Sequence, residues 1–122
     1  MKRIPRILTA LLVSLGLLVG VTACTTPEKV DMSSVTAIID VRSPEEFAEG
    51  HLDGAVNLNI EGTSFAADIA KLDPTGTYIV YCRSGNRAGK ALTAMQQIGI
   101  ANVTNLGSVA EASASTGTPV VK

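Results

Sequence analysis

The chain has few of the residue types that build metal and nucleic-acid sites. It has one histidine, two cysteines, two tyrosines, two phenylalanines and no tryptophan. A closed zinc site of histidine and cysteine ligands needs four of them, more than this chain has. Its lysines and arginines form no stripe with interleaved aromatics, so the sequence does not favour nucleic-acid binding. It also lacks a glycine-rich phosphate loop and a dinucleotide fingerprint, and we expect no metal and no resident cofactor.

Length and charge narrow the range of functions further. A chain of 122 residues without internal repeats is long enough for one domain of ordinary size, which we expect to be monomeric.

The first residues are basic at Lys2, Arg3 and Arg6, and an almost unbroken apolar run follows over residues 7–21. This run is shorter than the roughly 20 residues that span a membrane as a helix. Residues 1–23 are therefore predicted to be a signal peptide for export.

The end of that segment, "VTAC", resembles a bacterial lipobox, in which the cysteine is lipidated and becomes the new first residue. The prediction is a lipid anchor on Cys24 at the outer face of a bacterial membrane, a tether over residues 24–33 and a domain over residues 34–122. The same residues also fit an ordinary signal-peptidase site, which leaves open a soluble secreted or periplasmic protein. Loss of residues 1–23 removes three basic residues and no acidic one, so the net charge falls from −1 to −4.

Predicted strands and helices alternate along the rest of the chain. This order favours an α/β domain with a mainly parallel central sheet flanked by helices, whose ligand site lies beyond the carboxyl ends of the strands. The helix after Cys82 is predicted to bury a face that includes Ile98 and to end at Gly99. Strands are predicted in residues 35–41, 55–60, 77–82 and 102–106, and helices in residues 43–49, 63–72, 87–98 and 108–116.

The segment "YCRSGNR" places a thiol where the central strand turns into a helix. A thiolate is stabilised by nearby positive charge and by a helix N-terminus. Arg83 and Arg87 supply the charge, and Gly85 permits a tight loop whose amides turn inward as an anion cradle. Cys82 could instead be a buried structural cysteine or, if Cys24 is not lipidated, a disulfide partner.

Two motifs resemble the single-domain rhodaneses, a family of sulfurtransferases. They are "CRSGNR" at residues 82–87, similar to the family's active-site loop, and "IIDVRSPEEFAEGHLDGAVNLNI" at residues 38–60, similar to its amino-terminal signature. The resemblance implies a rhodanese-like fold and a catalytic Cys82. This cysteine would take sulfur from a small anionic donor such as thiosulfate, hold it as a persulfide and pass it to cyanide or another thiophile.

The resemblance also assigns roles around the cysteine. The loop residues would hold the sulfur, and the side chains of the two loop arginines would attract the anionic donor. Asp40 and Arg42 would support the loop and the sheet end, and Arg42 could pair with Glu45 or Glu46. His51 is predicted to be structural, because persulfide transfer from a thiolate needs no base. The sulfur-binding loop residues are Arg83, Ser84, Gly85, Asn86 and Arg87.

Two departures from the family concern the pocket. Ala88 stands where a small hydroxyl residue often follows the loop arginine, and "NLGSVAEASASTG" at residues 105–117 replaces a tryptophan-containing segment. Cysteine-dependent phosphatases and arsenate reductases are the competing enzyme class, but they need five residues between cysteine and arginine, and here there are four. A persulfide carrier without turnover and a thiol redox sensor are also compatible with a reactive Cys82.

Overall fold

Four parallel strands form the central sheet in the computed structural model, which describes residues 28–122. The predicted signal peptide, Cys24 and the first part of the predicted tether lie outside these residues. The strands are β1 (Ala37–Asp40), β2 (His51–Leu52), β3 (Val56–Asn57), β4 (Thr77–Cys82), β5 (Asn102–Ser108) and β6 (Val120–Val121). The sheet order is β3-β1-β4-β5, with every neighbouring pair parallel. The predicted fold class is therefore confirmed.

Helices pack on both faces of this sheet. They are α1 (Pro44–Glu49), α2 (Phe65–Ala70), α3 (Asn86–Gln97) and α4 (Val109–Thr116). Side chains of β4 alternate between the faces, as the period of a strand requires. Tyr78, Val80 and Cys82 join the cluster that contains α2 and α3 residues. Ile79 and Tyr81 join the cluster that contains Ala112 of α4. β4 is thus covered on both faces, and its last residue is the predicted nucleophile.

Capping interactions fix the ends of the helices beside the site. Ser43 accepts a hydrogen bond from the backbone N–H of Glu46, and the Glu46 carboxylate accepts one from the Ser43 N–H, which closes the predicted capping box of α1. α3 ends in a Schellman motif: Gly99 has φ +96°, and the Ile100 N–H donates to the Met95 carbonyl at 3.1 Å.

The prediction that Ile98 lies on the buried face of α3 is wrong. Ile98 is 50% exposed, whereas Ile100 is 1% exposed. Ile98 is the C-cap residue beyond the last helical turn, and the left-handed Gly99 then reverses the chain. The core position goes to Ile100 because the backbone no longer follows the helical period.

A short ribbon of two strands was not predicted from the sequence. β2 and β6 pair antiparallel, with His51 opposite Val121 and Leu52 opposite Val120, so β5 is not the last strand. Two-residue strands are too short to show a period in the sequence.

The described part of the predicted tether touches the domain. The Val30 N–H donates to the Ser115 carbonyl at 2.9 Å, and Val30 and Met32 pack against the α4-side cluster. The boundary at residue 34 stays a prediction. None of the helices in residues 28–122 has the length and hydropathy of a membrane-spanning segment.

Candidate active site

Cys82 ends β4 beneath a tight loop. Its residue exposure is 0%, and its sulfur accepts hydrogen bonds from two backbone amides. The Gly85 N–H lies 2.9 Å from Sγ, and the Ala88 N–H lies 3.4 Å away. Gly85 is the N-cap residue of α3 and Ala88 lies in its first turn, so the two amides combine the end of a concave loop with the N-terminal end of a 12-residue helix. Such a group of donors stabilises negative charge on sulfur.

Gly85 gives the loop its shape. Its φ of +93° lies in the left-handed region, and a Cβ built there would stand 3.2 Å from the Gly107 Cα. The Gly85 carbonyl accepts a hydrogen bond from the Asn105 side-chain amide at 2.9 Å, and the Asn105 Oδ1 accepts one from the Gly107 N–H at 2.9 Å. The loop is therefore attached to β5 through Asn105. No sequence pattern indicates this contact, because residues 85 and 105 meet only in the folded sheet.

Arg87 is engaged by α1. Its guanidinium makes two hydrogen bonds to the Glu46 carboxylate, at 2.7 and 3.0 Å, and both side chains are 23% exposed. The hydrogen bond from Arg87 lowers the pKa of Glu46 to about 2 and raises the pKa of Arg87. Arg83 is exposed and forms no ion pair within residues 28–122. Of the two predicted loop cations, Arg83 thus keeps its charge available, while the charge of Arg87 is balanced.

Asp40 and Arg42 form a buried pair at the end of β1, where Asp40 is 0% and Arg42 6% exposed. The Arg42 Nη2 lies 2.7 Å from the Asp40 Oδ2 and also donates to the Gly50 carbonyl. The expected pairing of Arg42 with Glu45 or Glu46 is wrong. Arg42 pairs instead with Asp40, which lies two residues before it at the same strand end. Glu46 forms its ion pair with Arg87. Burial acts to lower the pKa of Arg42, but its bonds to Asp40 outweigh that effect and raise it.

The same pair holds neighbouring segments together. The Asn57 side-chain amide donates to the Asp40 and Arg42 carbonyls, at 3.1 and 2.9 Å. The Arg42 guanidinium carbon lies 5.9 Å from the centre of the Tyr81 ring. The Tyr81 hydroxyl accepts a hydrogen bond from the Leu52 N–H, and burial raises the pKa of Tyr81. Asn57, the Arg42 side chain and the Tyr81 hydroxyl therefore join residues 38–60 to one another and to the strand that carries Cys82.

His51 contacts α1. Its Nδ1 lies 2.8 Å from the Phe47 carbonyl, and its ring stacks on the Phe47 ring with centroids 3.6 Å apart. A backbone carbonyl can only accept, so Nδ1 carries the proton in this contact. Within residues 28–122 no cluster of three or more histidine, cysteine, aspartate or glutamate residues could hold a metal ion.

Two open clefts meet at Gly85. We call them the α3 cleft, about 440 Å³, and the acidic cleft, about 530 Å³. The α3 cleft follows α3 from Asn86 to Gln97 and contains Lys90. The acidic cleft lies between the loop, the end of β5 and α4, and is lined in part by residues 105–117, the segment predicted to replace a tryptophan-containing one. Its lining residues are Glu28, Ser84, Gly85, Asn105, Leu106, Gly107, Glu111 and Ser115.

Comparison with known proteins agrees with this geometry. The chain matches the rhodanese-like domain family over residues 27–113 and belongs to that family. It is 33% identical over 69 residues to the thiosulfate sulfurtransferase PspE of Escherichia coli, covering 57% of this chain and 66% of that protein. It is 33% identical over 91 residues to the chloroplastic thiosulfate sulfurtransferase 16 of Arabidopsis thaliana, covering 66% of this chain and 76% of that protein.

A solved structure described as a rhodanese with anions from Escherichia coli is 30% identical. The superposition of the two structures has a TM-score of 0.59 and covers 70% of this chain and 96% of the solved one. The chain spans just under two thirds of the length of PspE, and 19% of a probable adenylyltransferase/sulfurtransferase of Mycobacterium tuberculosis. This chain therefore has the family and the fold of these proteins in common with them.

Proposed function

We propose that this protein is a rhodanese-type sulfurtransferase that carries sulfur on Cys82. The observation that carries the proposal is the position of the Cys82 sulfur at the carboxyl end of the central strand. There the sulfur accepts hydrogen bonds from the Gly85 and Ala88 N–H groups. Amides aimed at a sulfur stabilise it as a thiolate and again as a persulfide anion. Membership of the rhodanese-like domain family supports the same reaction class.

In the first half-reaction, the Cys82 thiolate attacks the outer sulfur of thiosulfate. A bond forms between Sγ and that sulfur, and the sulfur–sulfur bond of thiosulfate breaks with its electron pair leaving on sulfite. The products are a Cys82 persulfide anion and sulfite, so the total charge is unchanged. Arg83 is the exposed cation of the loop and attracts the anionic donor.

In the second half-reaction, a thiophile such as cyanide attacks the outer sulfur of the persulfide. The bond between this sulfur and Sγ breaks, and its electron pair returns to Cys82 as the thiolate. Cyanide leaves as thiocyanate, and the enzyme is ready for another donor.

A single-load persulfide carrier is the second candidate. The full burial of Cys82 favours it, since a small donor must reach a sulfur without exposed surface. A carrier would load once and release its sulfur to a partner, whereas a sulfurtransferase would turn over many times.

The test is intact and peptide mass spectrometry of the full chain before thiosulfate, after thiosulfate and after cyanide. We expect one extra sulfur atom on the peptide that contains Cys82, its removal by cyanide, and more than one thiocyanate per protein with excess donor. Cys24→Ser should behave like wild type and Cys82→Ser should not load. A folded, reduced protein that gains no sulfur would rule out thiosulfate as donor, and loading without turnover would favour the carrier.

For localisation, we propose that Cys24 is lipidated and that the domain is exported and held at the outer face of a bacterial membrane. The support is the basic start, the apolar run over residues 7–21 and the "VTAC" sequence. Expression in a bacterium with labelled palmitate should label the wild-type protein and leave Cys24→Ala unlabelled. Equal labelling of the two proteins, or none in either, would contradict the lipid anchor.

A further inference from the structure

The two clefts that flank the loop differ in charge. The acidic cleft is lined by Glu28 and Glu111, and no lysine, arginine or histidine of residues 28–122 lines it. Both carboxylates are exposed and make no ion pair with that part of the chain. The α3 cleft has Lys90 and no carboxylate among its described lining residues. A negatively charged molecule is therefore disfavoured on one side of the loop and favoured on the other.

A polar group also faces the acidic cleft. Ser115 lines it and is only 7% exposed, yet its hydroxyl forms no hydrogen bond with any residue of the described part of the chain. Neighbouring hydroxyls on α4 behave differently, since Ser113 and Thr116 both donate to backbone carbonyls at 2.7 Å. No side-chain nitrogen or oxygen of residues 28–122 is both fully buried and unpaired, so the Ser115 hydroxyl keeps some exposed surface, where a ligand in this cleft can form a hydrogen bond with it. It can accept a hydrogen bond from an amine.

Gly85 connects the acidic cleft to the reactive sulfur. Gly85 lines the cleft and donates its N–H to the Cys82 Sγ at 2.9 Å. A persulfide places its outer sulfur roughly 2 Å beyond Sγ. Cys82 is buried and lines neither cleft, so this outer sulfur has to extend past Gly85 to meet a small molecule in the acidic cleft.

We propose that the acidic cleft binds the sulfur acceptor and that this acceptor is a small thiol carrying a cationic amine. This inference rests on the proposed sulfurtransferase function and specifies its acceptor. Glu28 and Glu111 attract the ammonium group, and the Ser115 hydroxyl accepts a hydrogen bond from it. The acceptor thiol passes its proton to the outer sulfur of the Cys82 persulfide anion, and the resulting thiolate attacks that sulfur. The bond to Sγ breaks, its electron pair stays on Cys82 as the thiolate, and the proton leaves with the new persulfide.

The test compares acceptors of similar size and different charge. The full chain is loaded with thiosulfate, freed of excess donor and mixed with cysteamine, 2-mercaptoethanol or 2-mercaptoethanesulfonate. Because these thiols differ in reactivity, the measured quantity is the ratio of the cysteamine and sulfonate rate constants in each protein. We expect this ratio to fall about fivefold in Glu28→Gln/Glu111→Gln at low ionic strength. The difference should shrink at roughly 1 M salt, where the Debye length is about 3 Å.

The matched control is Glu45→Gln/Glu49→Gln, which removes two exposed carboxylates from α1 and changes the net charge equally. It should leave the ratio at the wild-type value. An unchanged ratio in Glu28→Gln/Glu111→Gln, or an equal fall in the control, would overturn the proposal. Thiocyanate released per loaded protein should be the same in all three proteins, which shows that the persulfide is intact.

A second measurement separates this inference from the proposed function. Reduced Cys82 is modified with methanethiosulfonate reagents that carry an aminoethyl or a sulfonatoethyl group, in a Cys24→Ser background. This reaction needs no persulfide. A preference for the aminoethyl reagent that falls in Glu28→Gln/Glu111→Gln supports a cation-selective cleft even if thiosulfate fails to load Cys82. Absence of any change contradicts the cleft's selectivity even if loading succeeds.

Discussion

The carboxylates on the two sides of the Cys82 loop differ in whether they form ion pairs. On the α1 side, Asp40 pairs with Arg42 and Glu46 pairs with Arg87, both through more than one hydrogen bond. On the α4 side, Glu28 and Glu111 are exposed and pair with no cation of residues 28–122. Asp40 and Glu46 thus have cationic partners, whereas Glu28 and Glu111 have none within residues 28–122.

This contrast separates charges that hold the site from charges that select its ligands. A buried pair costs desolvation and is retained only if its hydrogen bonds fix a geometry, so removal of one partner is expensive. An exposed, unpaired carboxylate contributes little to stability but acts on any charged molecule within a Debye length. The α1 side therefore fixes the loop, and the α4 side acts on approaching molecules. Substitutions on the two sides should accordingly differ in their effect on stability.

The largest effect is expected from Asp40→Ala. It leaves the buried guanidinium of Arg42 without its carboxylate, and we expect the free energy of unfolding to fall by roughly 3–5 kcal/mol. Urea unfolding followed by circular dichroism measures this. If the alanine variant does not fold, Asp40→Asn keeps the shape and removes only the charge. A loss under about 1 kcal/mol in both variants would show that the pair does not hold the strand end.

A smaller loss is expected for Gly85→Ala, at the junction of the two sides. The residue would keep φ near +93° with a Cβ 3.2 Å from the Gly107 Cα, which should cost about 2 kcal/mol. Displacement of its amide from Sγ should slow sulfur loading by roughly tenfold or more. Gly89→Ala is the matched control, because a Cβ there has an ordinary 3.6 Å contact and α3 favours alanine. Equal loading rates in the two variants would argue against the amide cradle.

The ion pair of Glu46 and Arg87 should appear in the pH dependence of stability. The folded pKa of Glu46 is about 2 and its ordinary value is 4.5, so its contribution is fully present above pH 4.5 and is lost as the pH falls towards 2. We expect Glu46→Gln to be about 1 kcal/mol less stable than wild type at neutral pH, since solvent weakens a partly exposed pair.

The difference in stability between wild type and Glu46→Gln should disappear as the pH approaches about 2. Unfolding at a series of pH values measures it, and Glu45→Gln is the control because Glu45 is exposed and has no ion-pair partner in the described part of the chain. A pH-independent difference between wild type and Glu46→Gln would contradict the assigned charge pair.

The smallest effect on stability is expected on the α4 side. Glu111→Gln removes an exposed carboxylate but not the N–H that donates to Ser108, so the free energy of unfolding should change by less than about 0.5 kcal/mol. Thermal unfolding beside Glu46→Gln tests this. A loss as large as that of Glu46→Gln would place Glu111 among the charges that hold the site.

Patterns along the sequence predicted the fold class and the start of α1, because both depend on neighbours in the chain. Ser43, Pro44 and Glu46 contact the first turn of their own helix, and strand and helix periods are visible locally. The partner of Arg42 was assigned wrongly to Glu45 or Glu46. The short ribbon that contains His51 and Val121 was missed because its strands are only two residues long and lie far apart in the chain.

Three features could be predicted without the fold: the alternating order of strands and helices, the thiol at the end of the central strand and the tight turn at Gly85. These follow from local backbone preferences and from the apolar period of each segment. Three other features are visible only in the folded chain: Glu46 pairs with Arg87, Asn105 bonds the Gly85 carbonyl, and Glu28 and Glu111 line one cleft. The physical reason is that charge pairing and cleft lining depend on distances in space between segments far apart in the chain.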